Sequence, residues 1–234
     1  MIDNTLEEIV ALKESGARVP RVIVIGAGMS GIVMGIRLLQ AGIEDFVIYE
    51  KKDKVGGTWR ENTYPGLACD VPSYFYTYSF EPNPDWSHRF PPGAEIQAYF
   101  DSVFKKYGLE RFTRFNSEIK HCRFSDGGWH VELVNGEIDR AEFLVAATGV
   151  LHRASKPAIK GLEEFSGSCF HSAEWDHDVE LNGKRIGIIG SGSTALQMVS
   201  PLSEQVESLT LFQRTAQWVI SVPDKTYSPR WKRL

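Results

Sequence analysis

An apolar, β-branched run from Arg21 to Ile25 meets Gly26-Ala27-Gly28-Met29-Ser30-Gly31, and Ile32 to Ala41 continues with helical spacing. Strand, glycine turn and helix in that order constrain the fold more than any other stretch of the chain. Phe46 to Tyr49 is the next apolar run and ends in Glu50, so the opening forms one βαβ unit with a right-handed crossover. Gly26 allows the tight turn, Gly28 lets backbone approach a pyrophosphate, Gly31 permits close helix packing, and the helix N-terminus offers N–H groups to the anion. Glu50, nineteen residues beyond Gly31, is placed to hold ribose hydroxyls. The alternative, turn glycines without a ligand, leaves the strand, helix and acid at these spacings unexplained.

A second unit of the same kind comes late. Arg185 to Ile189 is its strand, Gly190-Ser191-Gly192-Ser193-Thr194-Ala195 its turn, Leu196 to Leu202 its helix and Ser208 to Phe212 its second strand. Ala195 stands at the third glycine position, a variant the motif tolerates. The acid expected after the second strand is replaced by Gln213-Arg214-Thr215, and an arginine there suits a ribose 2′-phosphate better than a free hydroxyl. NADPH is therefore expected over NADH, with a surface salt bridge as the alternative use of Arg214.

Two dinucleotide sites in one chain imply electron transfer between two carriers, and FAD is the expected second one. Gly56-Gly57-Thr58-Trp59 fits this, because paired glycines let backbone approach a cofactor while a tryptophan packs along a flat ring. A turn beside a core aromatic is the other reading of that string. The expected fold class is α/β, with two Rossmann-like dinucleotide-binding domains at residues 1–153 for FAD and 154–234 for NADPH. Between the two units lie a Gly-, Pro- and aromatic-rich stretch from Gly56 to Pro92, a helix from Glu95 to Tyr107, and a hairpin of Ile119 to Phe124 and Trp129 to Val134 around Asp126-Gly127-Gly128. Phe143 to Ala147 reads as a buried strand, and Ser155 to Ser168 as a connector. Tyr74, Phe75, Tyr78 and Phe80 are expected in the core, with Tyr76 the exception. Leu6, Ile9, Val10 and Leu12 suggest a short amphipathic helix.

Composition narrows the partners. At 42% hydrophobic and 24% charged residues, the chain has the mix of an ordinary water-soluble protein. A net charge of −4 supplies no field to gather phosphate backbones or anionic lipid, so no nucleic acid is expected, and Arg230 to Arg233 reads as a solvated tail. No apolar run approaches the ~20 residues that span a bilayer, and Met1 to Pro20 carries acids where a secretory leader is basic. Cys69, Cys122 and Cys169 lack the spacing of a metal site or redox pair; no metal is expected, and the thiols read as reduced in a cytoplasmic protein.

The stretch Phe165-Ser166-Gly167-Ser168-Cys169-Phe170-His171-Ser172-Ala173-Glu174-Trp175-Asp176 resembles the Baeyer-Villiger monooxygenase fingerprint, FxGxxxHxxxW followed by Pro or Asp, at every fixed position. The resemblance extends to Gly57-Thr58-Trp59, to Asn62 through Asp70 with Tyr64-Pro65-Gly66 and Cys69-Asp70, to Ala147-Thr148-Gly149 and to Phe212-Gln213-Arg214-Thr215. It implies FAD against Gly26, Gly28, Ser30, Gly31, Glu50, Gly57, Thr58, Trp59, Asp70 and Tyr76, with backbone near Ile119 facing the adenine. It implies NADPH against Gly190, Gly192, Ser193, Thr194, Ala195, Arg214 and Thr215. Catalytic roles fall to Asp70, beside the flavin and orienting an arginine that stabilises negative charge on the oxygenated flavin, and to His171, tied to domain movement and nicotinamide handling. By residue type alone Asp70 is a loop cap, His171 a satisfied structural histidine and Trp175 plain core.

The activity implied is oxygen insertion: NADPH reduces FAD, the reduced flavin activates O2, and one oxygen atom enters beside the carbonyl of a small-molecule ketone to give an ester or lactone. Members of that family are much longer, and their arginine lies beyond position 234. Both domains are therefore expected to be incomplete here, and the chain inactive without a missing C-terminal part or a complementary chain. An N- or S-oxygenating flavin monooxygenase is the alternative, against which Trp175-Asp176 speaks. A flavin disulfide reductase lacks its cysteine pair, and a non-catalytic nucleotide-binding fragment is the remaining reading.

Overall fold

The computed structural model describes residues 19–228; the helix expected at Leu6 to Leu12 and the basic run Arg230 to Arg233 lie outside the described residues. In chain order the elements are β1 (Val22–Ile25), α1 (Met29–Gln40), β2 (Phe46–Tyr49), α2 (Thr58–Glu61), α3 (Gly93–Lys106), β3 (Thr113–Arg114), β4 (Ile119–Ser125), β5 (Gly128–Leu133), β6 (Ile138–Ala141), β7 (Phe143–Ala146), β8 (Arg185–Ile189), α4 (Ser193–Ser203) and β9 (Ser208–Phe212). The chain divides into two compact units, one running to Thr58 and again from Tyr99 to His152, the other from Trp59 to Ala98 and from Arg153 onward. Residues 59–98 thus group with the later part of the chain, unlike the consecutive division at 153/154 expected from sequence.

In the first unit a parallel sheet runs in the order β3-β2-β1-β7. Its β1 and β2 pair from Val22↔Phe46 to Ile25↔Tyr49, the arrangement that a βαβ crossover dictates. Helix α1 covers one face, and it comes so close at Gly35 that a Cβ there would lie 2.9 Å from Ile48 Cδ1. The other face takes the antiparallel meander β4-β5-β6: Ile23, Val47 and Tyr49 meet Val131, Leu133 and Ala141 in one core. Each such fully buried aliphatic side chain contributes about 1.5–3 kcal/mol over its exposed state. The hairpin forms where sequence placed it, because Asp126 and Gly127 both adopt positive φ, 53° and 73°, as a two-residue turn matching strand twist requires.

A polar network closes the same layer. Arg21 Nη2 and Tyr49 Oη both donate to Asp139 Oδ2, each at 2.8 Å. Burial by itself pushes the Asp139 carboxyl up, but the hydrogen bonds from Arg21, Tyr49 and the Arg140 N–H outweigh it and hold it below the usual carboxylate range. The Tyr49 phenol is pushed up to about 12, by burial first and then by its bond to Asp139.

Two expectations are corrected. β7 is not a buried strand: Phe143 is 57% exposed, because β7 pairs only with β1 and ends the sheet. Tyr74 and Phe75 are not core, at 57% and 71% exposure; their rings lie tilted against each other with centroids 4.4 Å apart, in a turn-rich segment that offers no wall to bury them.

In the second unit β8 and β9 pair in parallel, and α4 packs on them through Ala195, Met198 and Leu202, with Ile188 and Tyr64 in the same cluster. Both nucleotide-type helices begin inside their turns, α1 at Met29 and α4 at Ser193, a few residues earlier than the apolar pattern alone starts. Residues 224–227 lie along 87–90, with the Arg89 N–H donating to the Lys225 carbonyl at 2.8 Å and the Tyr227 N–H to that of Ser87 at 2.8 Å. Among the described residues no helix is long and apolar enough to cross a membrane.

Candidate functional site: two glycine turns

The first turn is shaped by contacts of the chain with itself. Gly26 has a φ of +99°, and a Cβ there would lie 2.6 Å from the Ala147 carbonyl oxygen. A Cβ on Gly31 would lie 1.8 Å from the Gly26 carbonyl oxygen, so α1 starts directly against the turn. Gly28 is the extended N-cap of α1, and a Cβ there would face Gly57 Cα at 3.5 Å. The Gly56 N–H donates to the Ala27 carbonyl at 3.0 Å. Glu50 is buried, its Oε2 accepting from the Ala27 N–H at 2.8 Å and its Oε1 from the Lys52 N–H at 3.0 Å.

Gly26, Gly28, Gly31, Glu50 and Gly57 are therefore brought together, with Ser30 in the first turn of α1 and Thr58 opening α2. Gly28 and Gly57 face each other backbone to backbone, a Cβ on Gly57 falling 3.1 Å from Gly28 Cα, and Met29 and Ser30 at the N-terminal pole of α1 are exposed. That is a cradle a Cβ would fill and a helix end suited to an anion, so these residues fit a dinucleotide. Ile119 joins them at one remove: the Ser117 N–H donates to the Glu50 carbonyl and the Asn116 N–H to that of Lys52, both at 2.9 Å. A cavity of about 260 Å³ opens beside it, lined by Lys51, Ser117, Glu118, Val134 and Asn135 among others.

The second turn is built differently. Gly190 has a φ of +112°, yet a Cβ on Gly190 or Gly192 would meet nothing within 4 Å. Ala195 at the third position is 6% exposed and is a core contact. Ser191 Oγ donates to the Thr215 carbonyl at 3.2 Å, which sets Arg214 and Thr215 beside Gly192, Ser193 and Thr194. Arg214 is exposed and pairs with no carboxylate among the described residues, so the salt-bridge alternative is not observed.

The remaining predicted residues lie in the second unit. Trp59 Nε1 donates to Tyr76 Oη at 3.0 Å, and the rings meet edge to face. Burial pushes the Tyr76 phenol up, and the negative charge of exposed Asp70 adds to this. The neighbouring Cys69 thiol is also pushed up by burial, which makes it an unreactive thiol. His171 caps the short turn Ser172–Glu174, its Nδ1 accepting from the Ala173 N–H at 3.1 Å; that puts the ring proton on Nε2. Trp175 packs against the α4 core and edge to face with Phe170. Sequence reasoning missed Gln197 and the pair Thr63 and His177, whose Oγ1 and Nε2 are 2.8 Å apart. Only their partners, far along the chain, mark them out. No group of His, Cys, Asp and Glu among the described residues is arranged for a metal.

Two parallel strand–turn–helix–strand units define a protein of the double nucleotide-fold α/β class. The description of flavin-binding monooxygenase-like proteins matches residues 19–230, and the chain belongs to that family. It is 52% identical over 211 residues to an uncharacterized monooxygenase of Mycobacterium tuberculosis, covering 90% of this chain and 43% of that protein. It is 45% identical over 210 residues to a Baeyer-Villiger monooxygenase of Streptomyces coelicolor, covering 89% and 40%. A crystal structure of OTEMO in complex with FAD and NADP superposes with a TM-score of 0.85 at 32% identity, covering 92% of this chain and 43% of that one. The chain thus spans about two fifths of the length of these proteins, and the resemblance read from Phe165 to Asp176 holds at the level of family.

Proposed function

We propose that this chain carries the FAD- and NADPH-holding residues of a Baeyer-Villiger monooxygenase, which converts a small-molecule ketone, O2, NADPH and a proton into an ester or lactone, NADP⁺ and water in the cytoplasm. The observation that carries the reading is the pair of unlike turns, one with a buried acid and one with an exposed arginine. Bound FAD would supply oxygen activation and bound NADPH the hydride. Gly26, Gly28, Ser30, Gly31, Gly57 and Thr58 admit the pyrophosphate to the α1 N-terminus, where N–H groups and the helix dipole stabilise its charge. Glu50 holds the turn and takes the ribose, and the backbone near Ile119 borders the adenine. Trp59, Asp70 and Tyr76 keep the flavin roles that the family resemblance gives them, with Asp70 fixing a cation. Gly190, Gly192, Ser193, Thr194 and Ala195 take the second pyrophosphate, Arg214 and Thr215 its 2′-phosphate, and His171 handles the nicotinamide through Nε2.

The test is flavin content. The purified chain mixed with FAD should retain a bound flavin spectrum that bleaches with NADPH, and Gly28→Val should lose it, since the added methyls enter the space between Gly28 and Gly57. Flavin retention unchanged in Gly28→Val would sink the assignment.

A further inference from the structure

Several contacts of the second unit meet at one side chain. Gln197 on α4 accepts at Oε1 from Tyr64 Oη at 2.8 Å and donates from Nε2 to the Ala68 carbonyl at 2.9 Å. The partners fix the amide's orientation, since the reverse would set oxygen against the Ala68 oxygen. Beside it the backbone at Gly66 runs so close to α4 that a Cβ there would lie 2.2 Å from the Gln197 carbonyl oxygen. The Tyr64 ring is buried with Ala195 and Met198. Thr194 and Ala195 belong to the second glycine turn, while Ala68 stands two residues before Asp70.

We propose that Gln197 is a positioning residue that makes the Tyr64–Asp70 segment respond when a nicotinamide dinucleotide phosphate occupies the second turn. The inference rests on the assignment of that turn to NADPH. A ligand along Gly190 to Ala195 restrains the first turn of α4, where Ala195 packs with the Tyr64 ring. The restraint passes through the buried Tyr64 phenol and the Gln197 amide to the Ala68 carbonyl, and so to the backbone that carries Asp70. Both steps are hydrogen bonds in partly buried surroundings, so loosening one end loosens the other. Gln197 itself touches no reacting atom.

The probe is NADP⁺ added to the FAD-loaded chain, with binding followed by calorimetry and amide exchange followed in peptides covering 64–70 and 190–196. In the native chain NADP⁺ slows exchange in both peptides, by about tenfold in 64–70, the worth of one hydrogen bond. In Gln197→Leu the protection persists at 190–196 and disappears at 64–70. Gln197→Glu serves where the leucine variant does not fold. Its carboxyl accepts from Tyr64 in either state but donates to Ala68 only when protonated, so protection of 64–70 returns as pH falls through its titration. General loosening of the fold produces no such return. Protection of 64–70 that survives in Gln197→Leu, or in Gln197→Glu at alkaline pH, overturns the inference and leaves the NADPH assignment standing. NADP⁺ that fails to bind the native chain, or binds without protecting 190–196, overturns the assignment and the inference together.

Discussion

The two glycine turns share a sequence pattern but not a reason for it. In the first, the glycines at both ends of the motif are demanded by the chain: added carbons would press on backbone oxygens of Ala147 and Gly26 at 2.6 Å and 1.8 Å. In the second, a Cβ on Gly190 or Gly192 would meet nothing within 4 Å, although Gly190 keeps a φ of +112°, and the third glycine has become a packed alanine. A glycine motif can thus be kept by the fold or by what binds to it, and substitution separates the two.

The largest effect is expected at Gly31→Ala. A Cβ placed 1.8 Å from a backbone oxygen forces α1 away from the turn, so unfolding should come about 3 kcal/mol easier or more, beyond the usual cost of overpacking. Denaturant titration measures it, and a loss under 1 kcal/mol would show that the turn yields freely. Glu50→Ala follows. It strands the Ala27 and Lys52 N–H groups, costing about 2–3 kcal/mol of stability without any nucleotide present. Were stability lost only relative to the FAD-bound form, Glu50 would serve the ribose alone.

Arg214→Ala carries the comparison to the second turn. It should weaken NADPH binding by about 1.5–3 kcal/mol, leave NADH nearly untouched and leave the melting temperature unchanged; equal losses for both coenzymes would remove Arg214 from the phosphate. The smallest change in stability belongs to Gly192→Ala, within about 0.5 kcal/mol of the native chain, because its Cβ meets nothing. Its NADP⁺ affinity should nevertheless fall at least tenfold. Titration calorimetry beside thermal melts checks both halves, and unaltered affinity would mean that no ligand uses that space.

Sequence carried the local features well. The strand before each turn, the Asp126-Gly127 hairpin and the long α3 all have their cause within a few neighbouring residues, in periodicity or in residues that accept positive φ. β3, two residues long, and β6, reading Ile-Asp-Arg-Ala, did not stand out, because their strand character comes from pairing with β2 and β5. The burial of Phe143, Tyr74 and Phe75 was misjudged for a related reason: apolar character says that a side chain can be buried, while a neighbouring layer decides whether it is. Of the site, the glycines, Glu50 and Arg214 were legible as a motif. The grouping of 59–98 with the later unit, and Gln197 within it, depend on partners more than a hundred residues away.

That distance also sets an order of events on the ribosome. Ala68 leaves the exit tunnel 129 residues ahead of the Gln197 amide that holds it; at about 5–20 residues per second the interval is roughly 6 to 26 s. The meander of the first unit, whose strands are neighbours in sequence, can form during that time. The Tyr64–Asp70 stretch cannot, and Tyr64 and Leu67 remain without their apolar cover until α4 is synthesised. A chaperone that recognises short aromatic segments therefore has a window on this nascent chain, and it closes when α4 emerges.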